Sequence, residues 1–194
     1  KAKQFLDKAG WKDTNKDGTR DKVVEGKKVE FKFNLMIYSG SPTYQQIAEI
    51  IKNEFTKLGI GVQINPTKWE LMLQKLRKKD YDATILGWVS DYKSDPFQIW
   101  HGSQADIPES SNSGSYKNEE VDKLITKLRV TLEEKDQIPI YREIHRLIAE
   151  DQPYTFLYLD KACVGIDARL ANFKEYPMLR PHYDTREWYS TRAR

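Results

Sequence analysis

Two segments of this sequence carry side chains whose types and spacing suit ligand binding. In the first, residues 87–96 (GWVSDYKSDP), Ser90 and Asp91 stand between the aromatic residues Trp88 and Tyr92. A carboxylate beside aromatic rings suits a ligand with an ammonium group, because the acid accepts a charge-assisted hydrogen bond while the ring makes a cation–π contact. The alternative is structural, with Trp88 in the core and Asp91 capping a turn. Both interpretations stay open on these residues alone.

The second segment, residues 13–21 (DTNKDGTRD), places side-chain oxygens at alternating positions: Asp13, Asn15, Asp17, Thr19 and Asp21. A calcium loop needs this spacing, with a glycine at its sixth position, here Gly18, for the sharp turn. Its twelfth position is normally a bidentate glutamate, but here it is Val24, and Glu25 follows one place late. A turn closed by Asx hydrogen bonds explains the same residues without a metal. Calcium is therefore one hypothesis, and we expect an ordered turn without metal.

The residues that could perform catalysis form no known signature. The 3 histidines, His101, His145 and His182, are far apart in the sequence, and we expect His145 on the polar side of a helix. No Gly-x-Ser-x-Gly elbow, His-Glu-x-x-His motif or glycine-rich phosphate loop is present. Cys163 lies in an apolar run (KACVGI), which favours a small core residue over a nucleophile. We therefore expect no enzyme, and a hydrolase or a free-standing calcium-binding module is the weaker alternative.

Charge also limits the classes of partner. The formal net charge is +3, from 32 Lys and Arg against 29 Asp and Glu, and the two signs are interleaved. The densest basic cluster, residues 77–79, falls at a predicted helix end, where cations are stabilised by the helix dipole. We therefore expect no nucleic-acid partner. The apolar runs are also far shorter than the ~20 residues that a membrane-spanning helix needs.

A repeated strand–helix unit must position the first candidate segment. Alternating apolar residues predict a half-buried strand over 29–37, and further strands are predicted at 61–65 and 82–89. Helices between them begin at Ser41-Pro42 and Trp69, and Gly59 ends the first of these helices. Helical spacing places Tyr44 and Trp69 on the apolar faces of these two helices. Short connections predict an α/β fold with a mostly parallel sheet, right-handed crossovers and flanking helices. Open parallel sheets bind ligands beyond the carboxyl ends of their strands, which is where residues 87–96 fall.

The remaining segments are predicted with less detail. A short helix over residues 1–9 is followed by a polar loop over residues 10–28. Residues 90–116 are predicted to be a loop, with 110–115 (SSNSGS) as its least structured part. Two amphipathic helices follow. The first is capped by Asn118, and the second carries Ile140, Tyr141, Ile144, Leu147 and Ile148 and ends at Pro153. Residues 154–166 are predicted to be extended.

The order of several spaced motifs resembles family 5 of the extracellular solute-binding proteins, the dipeptide- and oligopeptide-binding group. The similar segments are Gly10-Trp11 before DTNKDGTRD, Trp69 before YDATILGWVSDYKSDPF, and SGSYKNEEVDKLI. The resemblance implies a two-lobed protein that closes on its ligand like a hinge. It implies that residues 1–153 form the C-terminal lobe, a periplasmic-binding-protein-like α/β lobe. Residues 154–194 would be a crossover strand and tail that pack on an N-terminal lobe absent from this chain.

The resemblance also implies a function, which is solute capture for an ABC importer. Peptides would be the solutes and membrane permease subunits the partners. No cofactor is expected, apart from the calcium hypothesis for residues 13–21. The protein would be a monomer outside the cytoplasm, either in the periplasm or on the cell surface as a lipoprotein. Other members of the family bind sugars, opines or nickel chelates, so these ligands are the alternative.

The resemblance assigns roles to particular residues as well. In peptide-binding members the aspartate of the GWxxDY stretch pairs with the α-amino group of the ligand, and here that residue is Asp91. Trp88 would line the same pocket. Some oligopeptide-binding members carry a basic residue three places before the tryptophan, where this chain has Ile85. The partner of the ligand carboxylate is therefore left open.

Overall fold

The repeated strand–helix unit folds as a parallel sheet with helices in the structure, a computed structural model. The structure describes residues 1–89, 95–159, 161, 163, 165–174 and 185–191. Contacts divide the chain into two compact units, Lys1–Trp88 with Phe97–Lys123 and Val89–Pro96 with Leu124–Arg194. This division does not test the predicted lobe and tail, 1–153 and 154–194, which stay a prediction.

The first unit contains most of the regular structure. Its elements in chain order are α1 (Ala2–Lys8), β1 (Asp21–Val24), β2 (Lys27–Glu30), β3 (Lys32–Tyr38), α2 (Pro42–Thr56), β4 (Gly61–Thr67), α3 (Trp69–Lys78), β5 (Ala83–Thr84) and α4 (Phe97–Trp100). A short 3₁₀ helix, Gly102–Gln104, follows, and α5 (Glu119–Val130) begins in this unit. The remaining elements belong to the second unit: α6 (Glu134–Asp151), β6 (Leu170–Ala171), a 3₁₀ helix (Thr185–Glu187) and β7 (Tyr189–Ser190).

The central sheet has the order β4–β3–β5, and both pairings are parallel. The register runs from Lys32 opposite Gly61 to Tyr38 opposite Thr67 on one side of β3. On the other side Leu35 lies opposite Ala83. The predicted fold class is therefore confirmed.

Helices cover both faces of this sheet. Leu35 and Ile37 on one face pack in a cluster with Ala48 of α2. Met36, on the other face, packs with Met72 and Leu76 of α3. The predicted half-buried strand is therefore buried on both faces at its carboxyl end, because parallel strands carry crossover helices on both sides.

The predicted single strand over 29–37 is wrong, because the structure divides it at Phe31. Before that point β2 pairs with β1 in an antiparallel hairpin, and Val29 is 42% exposed. At Phe31 the backbone N–H donates to the Arg20 carbonyl at 2.7 Å, and its carbonyl accepts from Gly61 N–H at 2.9 Å. The chain thus pairs with β1 before Phe31 and with β4 after it. Residues 10–28, which were predicted to be a loop, contain strand structure.

The third predicted strand, 82–89, is also shorter than expected. Only Ala83–Thr84 pairs as a strand, although Ile85 still donates its N–H to the Met36 carbonyl at 3.2 Å and is buried. Beyond it, Leu86 is 36% exposed and Trp88 is 50% exposed. An apolar run signals burial only where a neighbouring element covers it, and β3 pairs with this segment only near its start.

The predicted helices are confirmed with small changes. The Ser41 hydroxyl accepts the Tyr44 N–H at 3.2 Å, and Gly59 adopts φ +79° after α2. The Asn118 side chain accepts N–H groups of Glu120 and Val121 at 2.9 and 3.2 Å, as expected of a cap. In the second unit, α6 buries Ile140, Ile144, Leu147 and Ile148, four of the apolar residues predicted for it.

Four predictions about single residues or short segments meet different outcomes. His145 is exposed on α6, as expected. Cys163 is exposed, so the prediction of a core position is wrong. In 110–115, Asn112 is 1% exposed and hydrogen-bonded, so this stretch is anchored rather than unstructured. Residues 154–159 form no strand, and Leu159 is 93% exposed.

Among the described residues no helix is long and apolar enough to cross a membrane.

Candidate functional site

The carboxyl edge of the parallel sheet gathers the candidate ligand-binding residues of the first unit. Strands that run in parallel end at the same edge, so the segments after β3, β4 and β5 lie next to one another. These segments are residues 38–44, 67–69 and 85–88. The edge is the part of an open α/β sheet where side chains are free to meet a ligand instead of filling the core.

Trp88 is the one member of the predicted ligand-binding set that lies in the described part of the chain. It follows β5 at this edge and is 50% exposed. This exposure fits a surface side chain better than the alternative of a core tryptophan. Ser90, Asp91 and Tyr92 lie outside the described residues, so their roles stay predictions.

Three further aromatic residues line the same edge and were missed as site residues in the sequence. The rings of Tyr38 and Trp69 meet edge to face, with centroids 5.7 Å apart and planes at 72°. Trp69 is 44% exposed although its helix position suggested a core role. A Cβ atom added to Gly87 would lie 3.4 Å from the Tyr44 hydroxyl, so Tyr44 lies beside the backbone that leads to Trp88.

Their positions in the predicted elements could have identified these residues. Tyr38 ends β3, Tyr44 lies in the first turn of α2, and Trp69 begins α3. Each one therefore falls where a strand end meets a helix start on the ligand side of the sheet. Helical spacing alone assigned Tyr44 and Trp69 to buried faces, because periodicity does not separate the core from a cleft.

Backbone hydrogen bonds hold the segments of this edge together. Ser39 N–H donates to the Thr67 carbonyl at 2.9 Å, which joins the end of β3 to the end of β4. Thr67 itself is 5% exposed, and its hydroxyl donates to the Asn65 carbonyl at 3.1 Å. The aromatic side chains thus stand on a fixed backbone, which suits contact and stacking with a ligand.

The second candidate site, residues 13–21, is an ordered turn closed by its own hydrogen bonds. The Asp13 carboxylate accepts N–H groups of Asp17 and Gly18 at 3.2 and 2.9 Å. The Asp17 carboxylate accepts the Thr19 N–H at 2.7 Å and the Asn15 amide at 2.9 Å. These are the Asx hydrogen bonds that the metal-free interpretation requires.

Asp21 ends this turn as a buried carboxylate. It is 4% exposed, accepts the N–H and hydroxyl of Thr14 at 3.0 and 2.7 Å, and pairs with Lys28 at 3.1 Å. Burial raises the pKa of Asp21, but the hydrogen bonds from Thr14 and Lys28 outweigh it, so the pKa lies below its ordinary value. In the described residues no group of three or more His, Cys, Asp or Glu side chains is placed to hold a metal.

Together, the parallel three-stranded sheet, the helices on both of its faces and the aromatic carboxyl edge define a lobe of the periplasmic-binding-protein type. The model of the bacterial extracellular solute-binding proteins, family 5 (middle part), matches residues 1–107. The chain therefore belongs to family 5 of the bacterial extracellular solute-binding proteins, a family of binding proteins rather than of enzymes.

Relatives with solved structures agree with this assignment. The chain is 36% identical over 191 residues to the oligopeptide-binding protein AppA of Bacillus subtilis, covering 97% of this chain and 34% of that protein. The structure of AppA with a nonapeptide has a TM-score of 0.77 at 33% identity, over 98% of this chain and 37% of that one. The crystal structure of NikZ from Campylobacter jejuni with Ni(L-His) has a TM-score of 0.67 at 26% identity, over 78% and 30%. The chain thus spans about a third of the length of these relatives.

Proposed function

We propose that this chain is part of the solute-capture subunit of an ABC importer and that the captured solute is a peptide. The observation that carries the proposal is the 36% identity to an oligopeptide-binding protein over 191 residues, nearly the whole chain. Family membership supports solute capture in general, and the match to a protein solved with a nonapeptide supports a peptide in particular.

The aromatic edge of the sheet supports this proposal physically. Tyr38, Trp69 and Trp88 present rings that suit the side chains and planar amide groups of a peptide. Asp91 would pair with the α-amino group of the peptide, and Ser90 and Tyr92 would line the pocket beside it. Ile85 is buried in the core cluster, so the partner of the ligand carboxylate has to come from another position.

The remaining properties of the complete protein belong to the same proposal. It would act outside the cytoplasm, in the periplasm or on the cell surface as a lipoprotein, and deliver its solute to membrane permease subunits. It would do so as a monomer, without catalysis and without nucleic acid. Residues 1–153 would supply the C-terminal lobe, and residues 154–194 a crossover strand and tail.

A nickel chelate is the second candidate ligand. The likeness to NikZ, solved with Ni(L-His), favours it, but at 26% identity against 36% for the peptide-binding relative. Sugars and opines are supported by the family resemblance alone. The peptide therefore ranks first.

Calorimetry on the complete protein that contains this chain tests the proposal. The protein, freed of bound ligand by partial unfolding and refolding, is titrated with a tripeptide, a nonapeptide and nickel–histidine. We expect at least one peptide to bind with micromolar or tighter affinity and nickel–histidine to give no heat. Binding of nickel–histidine without peptide binding would move the chelate to first place, and binding of neither would reject both candidates.

A further inference from the structure

Trp69 is an exposed aromatic residue that receives little support from its own helix. It is the first residue of α3 and is 44% exposed. A helical side chain ordinarily lies over the turn that precedes it, and the first residue of a helix has no such turn. The orientation of the Trp69 ring therefore depends on a neighbour outside α3.

Tyr38, at the end of β3, is that neighbour. Its ring meets the Trp69 ring edge to face, with centroids 5.7 Å apart and planes at 72°. Such a pair favours one relative orientation, because the edge and the face of an aromatic ring carry opposite partial charges. Tyr38 is itself half-buried and packs against the buried cluster that contains Met36 and Met72. Its ring thus connects the exposed indole to the core.

The absence of a side chain at Gly40 makes room for the Tyr38 ring. A Cβ atom added to Gly40 would collide with Cζ and the hydroxyl oxygen of Tyr38 and would lie 2.8 Å from its Cε1. The Ser41 N–H donates to the Tyr38 carbonyl at 3.2 Å, which closes the turn around Gly40. The Tyr38 ring therefore lies directly against the backbone of residue 40, in a space that only glycine leaves open.

The conflict between residue 40 and Tyr38 can be created without straining the backbone. Gly40 is not among the glycines with positive φ, so its backbone accepts an alanine. The atoms that the added methyl group would meet belong to the outer end of a side chain, which can turn away. We therefore expect Gly40→Ala to displace the Tyr38 ring and to leave the turn folded.

We propose that Tyr38 is a positioning residue for Trp69: lying over Gly40, it holds the indole ring at the carboxyl edge of the sheet in the orientation that receives a planar group of the ligand. The inference rests on the proposed peptide-binding function. Ordering a side chain on binding lowers affinity, and a ring that is held beforehand avoids this loss. Tyr38 thus contributes to affinity mainly through Trp69.

Three variants of the complete protein test this role. Tyr38→Leu removes the ring, Tyr38→Phe keeps the ring and removes the hydroxyl, and Gly40→Ala displaces the ring. Gly61→Ala is the matched control. Its Cβ would also meet a flexible side chain, at 2.7 Å from Cγ of Lys32, but Gly61 begins β4 and so lies at the opposite edge of the sheet.

Two properties are measured for each variant. Calorimetry gives the affinity for a free-amino peptide, and for Tyr38→Leu it is repeated in the Trp69→Leu background. Fluorine NMR of protein labelled with fluorotryptophan gives the chemical shift of Trp69, whose resonance is identified by its loss in Trp69→Leu. This shift responds to the ring current of Tyr38 and needs no ligand.

We expect Tyr38→Leu and Gly40→Ala to lower peptide affinity about threefold to tenfold and to move the Trp69 resonance. Tyr38→Phe should keep the affinity of the wild type, and Gly61→Ala should change neither property. In the Trp69→Leu background, Tyr38→Leu should cost less than about twofold, because the ring that Tyr38 positions is already gone.

A Trp69 resonance that stays in place in both Tyr38→Leu and Gly40→Ala would overturn the inference. Equal losses from Tyr38→Leu in the two backgrounds would overturn it too, since Tyr38 would then act apart from Trp69. Weaker binding by Tyr38→Phe would assign the effect to the hydroxyl and also contradict it. If the wild-type protein binds no peptide, the proposed function fails, and the fluorine shift still decides whether Tyr38 orients Trp69.

Discussion

At the scale of single residues, Asp82 shows how one carboxylate stabilises the start of β5. Its Oδ2 accepts the backbone N–H of Asn34 on β3 at 2.8 Å and the side-chain amide of the same residue at 3.0 Å. These two hydrogen bonds lower the pKa of the Asp82 carboxyl. The ionised form of Asp82 is therefore more stable in the folded protein than in the unfolded chain.

This shift predicts a contribution to acid sensitivity. Because the folded-state pKa is depressed, the stability from Asp82 is present above its unfolded pKa and is lost as pH falls through the folded pKa. In Asp82→Asn the acceptor oxygen remains but the titration is gone, so melting temperature should fall less steeply below about pH 4 than in the wild type. Thermal melts from neutral pH down to the lowest pH at which the protein stays folded check this. An unchanged dependence of melting temperature on pH in the variant would show that Asp82 does not contribute to acid sensitivity.

Local hydrogen bonds were predictable from the sequence, and distant ones were not. Ser41 and Asn118 were identified as helix caps because a cap bonds to residues two or three places on. The partners of Asp82 and Asp122 are Asn34 and Gly102, which no local pattern connects to them. The buried role of Asn112 was missed for a different reason: its partner Tyr116 is close in sequence, but a serine- and glycine-rich stretch is ordinarily exposed.

At the scale of elements, the turn between α2 and β4 packs on Gly18 and Arg20 of the ordered turn at residues 13–21, here called the acidic loop. Gly59 has φ +79°, and its carbonyl accepts the Arg20 N–H at 2.7 Å. The Arg20 guanidinium donates from Nε to the Leu58 carbonyl at 2.7 Å and pairs with Asp7 at 2.6 Å. Arg20 therefore joins α1 and this turn.

Two glycine substitutions measure the close packing of this turn. Gly59 and Gly26 have nearly the same φ, +79° and +78°, but a Cβ at Gly59 would lie 3.2 Å from the Gly18 carbonyl, while at Gly26 nothing lies within 4 Å. Gly26→Ala should cost about 1 kcal/mol for its left-handed backbone. Gly59→Ala should cost clearly more, up to about 3 kcal/mol, in chemical denaturation. Equal losses would mean that the turn does not pack closely.

The acidic loop is expected to keep its shape without metal. The Asp21 oxygens are engaged by Thr14 and Lys28, and Val24 stands where a calcium loop has its glutamate. Calcium should therefore leave the melting temperature of the chelator-treated complete protein unchanged at micromolar concentration, with magnesium as the control. A ligand that binds only the native state raises that temperature, so a calcium-specific rise would establish a site.

Elements with strong periodicity and their parallel pairing were correctly predicted, while the β1–β2 hairpin and the end of β5 were not. The helices and the parallel order followed from apolar spacing and short connections. The β1–β2 hairpin was missed because its short strands carry mostly charged residues and exposed valines. β5 was predicted too long because an apolar run indicates a strand without showing how far a neighbour accompanies it.

At the scale of the whole molecule, this chain spans about a third of the length of its relatives. Motifs spread along the chain predicted the family, and the structure contains the sheet edge that these motifs surround. The ligand could not be derived in the same way. The family binds several kinds of solute on one fold, and the choice depends on a few side chains. Asp91 is the residue on which the peptide proposal depends most.

The most direct test of the peptide proposal combines one substitution with one change to the ligand. Asp91→Asn in the complete protein keeps the size of the side chain and removes its charge, and N-acetylation of the peptide removes the amino group. Loss of one partner of a buried pair costs about 2–5 kcal/mol. That is roughly a thirtyfold to several-thousandfold loss of affinity. Either change alone should produce this loss in calorimetry.

Both changes together should cost little more than either alone, because they delete the same interaction. This non-additivity is the expected result if Asp91 binds the amino group. If Asp91→Asn binds the free-amino peptide within a few-fold of the wild type, or if the two losses simply add, Asp91 does not bind the amino group. Either result would contradict the assignment of the amino-group contact to Asp91, whereas a wild-type protein that binds no free-amino peptide would contradict peptide capture itself.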